Sequence, residues 1–215
     1  GAVMKIEFID LVSDAGLDGL NLSFGLDALT VLHDPYEVLS GPILSALAGQ
    51  SEILSGKLLI DGVPLGDSID GKALHRVFGY VFDEGIMLAN LSLRENLLLP
   101  LRWLDPRLSD ADFEGQLKPW LELFDLRVDL KLRPAMVKPA VRKYLSYVRS
   151  LLLKPDYLLI DDPYYLLNKY ERGVMYQALS RLRSTHRMLI ASSDDDFTGS
   201  FSSNCLELAD LYPPD

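Results

Sequence analysis

The stretch LLLKPDYLLIDDP, residues 151–163, decides how the rest of the chain is read. Its centre, Tyr157 to Ile160, is wholly apolar and stops at two aspartates, Asp161 and Asp162. A strand that is apolar throughout is covered on both faces, as the central strands of parallel sheets are. Just upstream, Val141 to Leu153 sets Leu145, Val148 and Leu152 on one helical face; downstream, a helix is expected over Glu171 to Leu182. Met188 to Ala191 repeats the theme, a short buried strand that ends at Ser192, Ser193 and Asp194. Strands that alternate with helices and finish in polar residues point to an α/β protein.

Further out, the N-terminal part reads differently. Met4 to Leu11 sets Ile6, Phe8 and Ile9 among charged residues, as a half-buried strand does. Leu20 to Phe24 and Ala28 to Leu32 are two more short strands, parted by Gly25 and Asp27, and the region is expected to form a small antiparallel sheet. His33 to Pro42 breaks the pattern, and Ile43 to Ala48 has helical spacing that ends at Gly49 as a C-cap. Lys57 to Ile60 runs into an Asp61-Gly62 turn, with Val63 to Leu65 pairing back, and Val77 to Phe82 is a further buried strand. Leu91 to Leu101 carries a helical period. Ser109 to Leu126 opens with a Ser-Asp-Ala-Asp helix start and continues through Phe113, Leu117, Trp120, Leu121 and Phe124. Lys131 to Pro139 is expected as a proline-interrupted loop, and Cys205 to Leu208 as an edge strand.

Composition narrows the function classes. A chain of 215 residues, 48% of them hydrophobic, can bury one substantial core but is short for two equal domains. The formal net charge of −10 argues against nucleic acid as a partner, because phosphate contact needs Lys and Arg, and against a polybasic membrane surface. Cys205 is the single cysteine, which excludes an intrachain disulfide framework and four-cysteine zinc sites. His33, His75 and His186 are scattered and read as surface or loop residues. Gly1 reads as a cloning remnant, with the native start near Met4. No signal-like opening and no run of about 18 apolar residues is present. The expectation is a cytoplasmic protein with no membrane insertion of its own, reaching the inner face of a membrane only through a partner.

Several segments, taken in order, resemble the ATP-binding domain of ABC transporters. ILSALAG (43–49) resembles the end of the family's first helix, SGKLLIDGVPL (55–65) the strand and turn after it, and GYVFDE (79–84) the strand that leads to the Q-loop. NLSLRENLLLPL (90–101) and the Walker B-like LLLKPDYLLIDDP complete the set. The resemblance runs from about Lys5 to Asp196. It implies a P-loop NTPase-like α/β fold: a mainly parallel central sheet, an N-terminal antiparallel β-subdomain, and a small helical subdomain over about 90–150, all in one domain over 1–215. It also implies the family's activity, MgATP hydrolysis in a head-to-tail dimer, wherever the functional positions keep the residues that carry it.

The phosphate-loop pattern GxxGxGK[ST] falls on Asp34 to Gly41, DPYEVLSG, with Pro42 next. Asp34, Glu37 and Leu39 stand in place of its glycines, Ser40 in place of the lysine, and Gly41 in place of the magnesium-binding hydroxyl residue. Such loops work by converging N–H groups and a lysine on phosphate at a helix N-terminus. Pro35 and Pro42 have no N–H to offer. Asp34 and Glu37 add negative charge, and a like pair at about 4 Å costs about 4 kcal/mol at an effective dielectric near 20.

At the other positions, Asp83 takes the Q-loop glutamine's place. Lys138, Pro139 and Ala140 replace the serine and glycines of the signature segment at Val137 to Val141. Asp161 matches the magnesium-associated aspartate, and Asp162 stands where the catalytic glutamate belongs. Asn168 replaces the D-loop aspartate, and Ser193 the switch histidine. A metal reading groups Asp161 with Asp162, Asp194 and Asp83, since hard cations favour carboxylates; a solvated acidic rim is the plainer expectation. The set implies a non-catalytic ATPase-like subunit, regulatory or structural, with no cofactor. Its partners would be a membrane permease, an intact ABC ATPase or a second copy of the chain. The alternatives are a subunit that binds ATP and Mg weakly and hydrolyses through Asp161 and Asp162, and an acidic adaptor with no link to transport.

Overall fold

A computed structural model of the chain describes residues 3–65, 77–82, 84–201 and 204–214. His75 and Asp83 lie outside the described residues. In chain order the elements are β1 (Met4–Ser13), β2 (Asp18–Leu26), β3 (Leu29–His33), α1 (Ser40–Leu47), β4 (Ile53–Ile60), β5 (Val63–Pro64), β6 (Phe78–Val81), α2 (Leu93–Leu104), α3 (Asp110–Leu123), α4 (Pro139–Leu152), β7 (Tyr157–Asp161), α5 (Lys169–Leu182), β8 (Arg187–Ser192), α6 (Asp195–Phe201) and β9 (Cys205–Glu207). The chain divides into two units: Gly1–Tyr80 with Pro155–Pro163 and Thr185–Asp215, and Val81–Lys154 with Tyr164–Ser184.

In the first unit, period-two alternation builds an antiparallel sheet of order β2-β1-β4-β5. Ile6, Phe8 and Leu11 are buried, but Ile9, expected among the inward residues, is 38% exposed. Ile9 directly follows the inward Phe8, so period-two alternation itself turns it outward; a register shift between Phe8 and Leu11 against β2, and between Ile9 and Val12 against β4, then brings Leu11 back inward. At this bulge Asp10 has φ 44°. Asn21 fastens it, its Oδ1 accepting from the Asp10 N–H at 3.0 Å and its Nδ2 donating to Asp10 Oδ1 at 2.7 Å. The Asp61-Gly62 turn forms as read, with both residues at positive φ and Ile60 opposite Val63.

The second sheet has the order β6-β7-β8-β3-β9, with β7, β8, β3 and β9 mutually parallel where they pair. This corrects the expectation for 28–32. The strand there, β3, lies between β8 and β9 and has no place in the antiparallel sheet. Leu29 to Leu32 are all buried, Thr30 included, and a strand with no polar face must be covered on both sides. The edge strand expected near Cys205 is β9. Ile43, Leu44 and Leu47 of α1 share one core cluster with Ile6, Phe8, Leu58 and Ile60 of the antiparallel sheet and Leu159, Leu189 and Ala191 of the parallel one.

The second unit is helical, and the subdomain expected over about 90–150 falls within it. Ser92 and Glu95 close a capping box at the start of α2; Asn168 and Glu171 do so for α5. Both α2 and α3 pack on α4, and Phe124 stacks on Tyr144 with ring centroids 5.2 Å apart. The loop expected over 131–139 contains a single 3-10 turn, Pro134–Met136, and α4 begins two residues earlier than its apolar period suggests, at Pro139. Proline tolerates that position because the first helical N–H has no partner to lose. Trp103 is 88% exposed.

The bulge generates a prediction. Gly56 sits across from it at φ +78°, and a Cβ there would stand 2.2 Å from the Asp10 carbonyl oxygen. Gly56→Ala should therefore destabilise the protein by at least about 2 kcal/mol, read as a fall in the urea midpoint without a change in slope.

Candidate functional site

The loop between β3 and α1 is organised by one buried carboxylate. Asp34 has 0% exposure. Its Oδ2 accepts from the backbone N–H of Leu39 at 2.8 Å and of Ser40 at 2.7 Å. Its Oδ1 accepts from the Tyr212 hydroxyl, which in turn accepts from the Tyr36 N–H at 3.2 Å. The Asp34 N–H donates to the Ser192 carbonyl at 2.9 Å, and its carbonyl accepts from Glu37, which is turned to φ 55°. Leu39 and Ser40 open α1, where the helix presents its unpaired N–H groups and partial positive charge. The chain's own carboxylate meets them. Gly41 follows Ser40 in the helix, with open space where a side chain would be.

Burial pushes the Asp34 carboxyl upward, but the bonds from Tyr212, Ser40 and Leu39 outweigh it and hold the group below its ordinary value. The Tyr212 hydroxyl is pushed up to about 12 by burial and by its bond to Asp34. Asp34, expected from sequence as charge facing a ligand, is instead buried and surrounded by donors. An aspartate ahead of a helix is a capping signal, yet its usual reach is three residues, not the five and six seen here. Nothing local points to Tyr212, 178 residues away.

Asp162 and Ser193, from the ends of β7 and β8, come together beside this loop. Asp162 is buried with φ 42°, its N–H held by the Ala191 carbonyl at 2.8 Å. Ser193 Oγ lies 3.0 Å from Asp162 Oδ2 and 3.3 Å from Glu37 Oε1, a hydroxyl between two carboxylates. Glu37 was read only as loop charge. Asp161, the last residue of β7, is half-buried. Asp194 accepts from the Phe197 N–H at 3.0 Å and so caps α6. Among the described residues no group of three or more His, Cys, Asp or Glu side chains is arranged to hold a metal ion.

His33, read from sequence as a surface or loop residue, closes β3 between two carboxylates: Nδ1 is 2.5 Å from Glu207 Oε2 and Nε2 is 2.9 Å from Asp195 Oδ1. Burial alone would lower its pKa, but the hydrogen bonds and charges of Glu207 and Asp195 together raise it.

In the helical unit, Lys138 takes the N-cap position of α4 and is exposed. Arg142 pins the preceding turn, donating to the carbonyls of Pro134 at 2.9 Å and Val137 at 2.7 Å. Asn168 serves as the cap of α5. Lys143, which the sequence reading passed over, is fully buried and donates from Nζ to the Tyr165 carbonyl at 2.8 Å.

An antiparallel side sheet, a parallel sheet whose β3 turns through a loop into α1, and a helical segment inserted ahead of the Walker B-like strand define the fold of an ABC ATPase cassette. Solved structures bear this out. The dimeric ATP-binding cassette MJ0796 in a post-hydrolysis state with ADP and Pi aligns with a TM-score of 0.78 at 16% identity, over 95% of this chain and 93% of that one. Clostridium perfringens cbiO1, part of the ABC transporter complex cbiONQ, aligns with a TM-score of 0.74 at 18% identity, over 95% and 83%. By sequence, the chain is homologous to ATP-binding subunits of ABC transporters. It is 27% identical over 195 residues to the molybdenum import ATP-binding protein ModC of Rhodobacter capsulatus, covering 86% of this chain and 52% of ModC. It is 28% identical over 169 residues to the sulfate/thiosulfate import ATP-binding protein CysA of Ralstonia nicotianae, covering 77% and 44%. The chain thus spans about half the length of the curated relatives it matches. No family model matches it. Among the described residues, no helix is long and apolar enough to cross a membrane.

Asp34→Ala strands the amides of Leu39 and Ser40 and should cost about 3 kcal/mol in urea unfolding at neutral pH. Because the folded-state pKa of Asp34 is depressed, its contribution is present above the ordinary 3.8 and lost as pH falls through the lower folded value, so the variant should lose part of the acid limb of the stability profile. His33 acts in the opposite sense. Its raised pKa gives stability present below the ordinary 6.5 and lost as pH rises through the folded value. Glu207→Gln should flatten that alkaline-side loss and lower the imidazole pKa followed by NMR.

Proposed function

We propose that this chain is a non-catalytic, ATPase-like subunit of a transport complex, regulatory or structural in role. The supporting observation is the Asp34 carboxylate on the opening amides of α1. A nucleotide's phosphate chain would need those same amides and would meet a buried negative charge there, with Glu37 beside it and Ser40 where the phosphate-binding lysine is expected. These residues do not fit MgATP, and Ser193 in place of an imidazole gives no cationic donor for a terminal phosphate.

Kinship with the import subunits ModC and CysA supports the link to transport. The partner in this reading is a membrane permease, with an intact ABC ATPase or a second copy of the chain alongside it. Attachment to the inner membrane face then comes through that partner. Hydrolysis through Asp161 and Asp162 is the competing reading, and it is disfavoured because Asp162 is already engaged by Ser193.

Isothermal titration with MgATP decides between them. The expected result is no binding heat up to millimolar nucleotide and no phosphate release. Micromolar affinity that disappears in Asp161→Ala would overturn the proposal.

A further inference from the structure

The C-terminal segment is tied to the β3–α1 loop at two adjacent points. β9 lies parallel to the end of β3, with Val31 opposite Cys205 and His33 opposite Glu207, and the His33–Glu207 contact reinforces that register. Past a short 3-10 turn over Leu208–Leu211, anchored by the fully buried Leu208, the chain delivers Tyr212 to the loop. There the hydroxyl donates to Asp34 Oδ1 and accepts from the Tyr36 N–H, while the two tyrosine rings lie 6.2 Å apart. One phenol therefore serves both the buried carboxylate and the loop backbone.

We propose that the segment from Cys205 to Tyr212 is a latch that holds the β3–α1 loop in its self-satisfied form, with the amides of Leu39 and Ser40 closed off by Asp34. This deepens the non-catalytic reading and rests on it for its functional meaning, a contact that keeps the opening amides of α1 occupied by the protein's own carboxylate. The physical basis is the carboxylate's burial. With Tyr212 in place, both Asp34 oxygens have donors; with Tyr212 withdrawn, Oδ1 loses the hydroxyl that the C-terminal segment supplies, and the remaining donors, Leu39 and Ser40, all lie at the start of α1. A buried charged oxygen short of a donor favours turning toward water. That rotation takes Oδ2 away from Leu39 and Ser40. Tail and loop therefore move as one two-state element, and whatever lifts Tyr212 opens the loop.

Hydrogen-exchange mass spectrometry on the full chain tests the coupling. Tyr212→Phe should raise local opening about tenfold in peptides covering 36–41 as well as those covering 205–212, the worth of one hydrogen bond to a charged group. Asp34→Asn should show the reciprocal effect, loosening 205–212 although the change lies in the loop. Exchange that rises in the tail while 36–41 stays unchanged overturns the latch. So does an equal rise in α4, which would mean general destabilisation. If Asp34→Asn does not fold, the Tyr212→Phe comparison stands alone. Tight MgATP binding by the unaltered chain would sink the non-catalytic reading without touching this coupling, and uncoupled exchange would sink the latch without touching that reading.

Discussion

A carboxylate removed from water must find donors or lose its charge, and the arrangement around Asp34 follows from that constraint. Its side chain takes the first amides of α1 and the Tyr212 hydroxyl, while its backbone N–H is fixed by Ser192 at the end of β8. Four parts of the chain, the β3 end, the α1 start, the β8 end and the C-terminal segment, meet at this one residue. Leaving an ion buried without such partners costs several kcal/mol, so the loop's geometry and the group's ionisation sustain each other.

The neighbouring polar groups are arranged in the same spirit. Ser193 bridges Asp162 and Glu37, His33 bridges Glu207 and Asp195, and Asp194 caps α6. In an ATPase cassette, this end of the parallel sheet is where phosphate and metal chemistry is expected. Here its described carboxylates are largely occupied with the protein's own hydroxyls, imidazole and amides.

Where the sequence reading succeeded, short-range pattern carried it. The apolar runs at β7 and β8, the Asp61-Gly62 turn and the capping signals at Ser109 all place themselves, because burial periodicity and cap chemistry act within a few residues. It erred where the deciding contact was distant. β3 follows β2 so closely that pairing between them looked natural, yet its two apolar faces required the interior of the other sheet. Ile9 follows Phe8 directly and so faces outward, while a one-residue bulge just beyond it brings Leu11 inward. Of the site, Asp162 and Ser193 were legible through their positions after two buried strands. Glu37, Tyr212 and the ion-paired state of His33 were not.

The sequence by itself determined most of the elements, the class of fold and which residues stand at the sheet's polar edge, since hydrophobic period and turn chemistry are local properties of the chain. Only the tertiary structure decided what those residues do to one another. The charge on Asp34 reads from sequence as repulsion toward phosphate. Once Tyr212 is brought across 178 positions and the opening amides of α1 converge, the same charge becomes the centre that holds the loop shut. Donor geometry around a buried ion depends on which distant segments pack there, and no window of neighbouring residues encodes it.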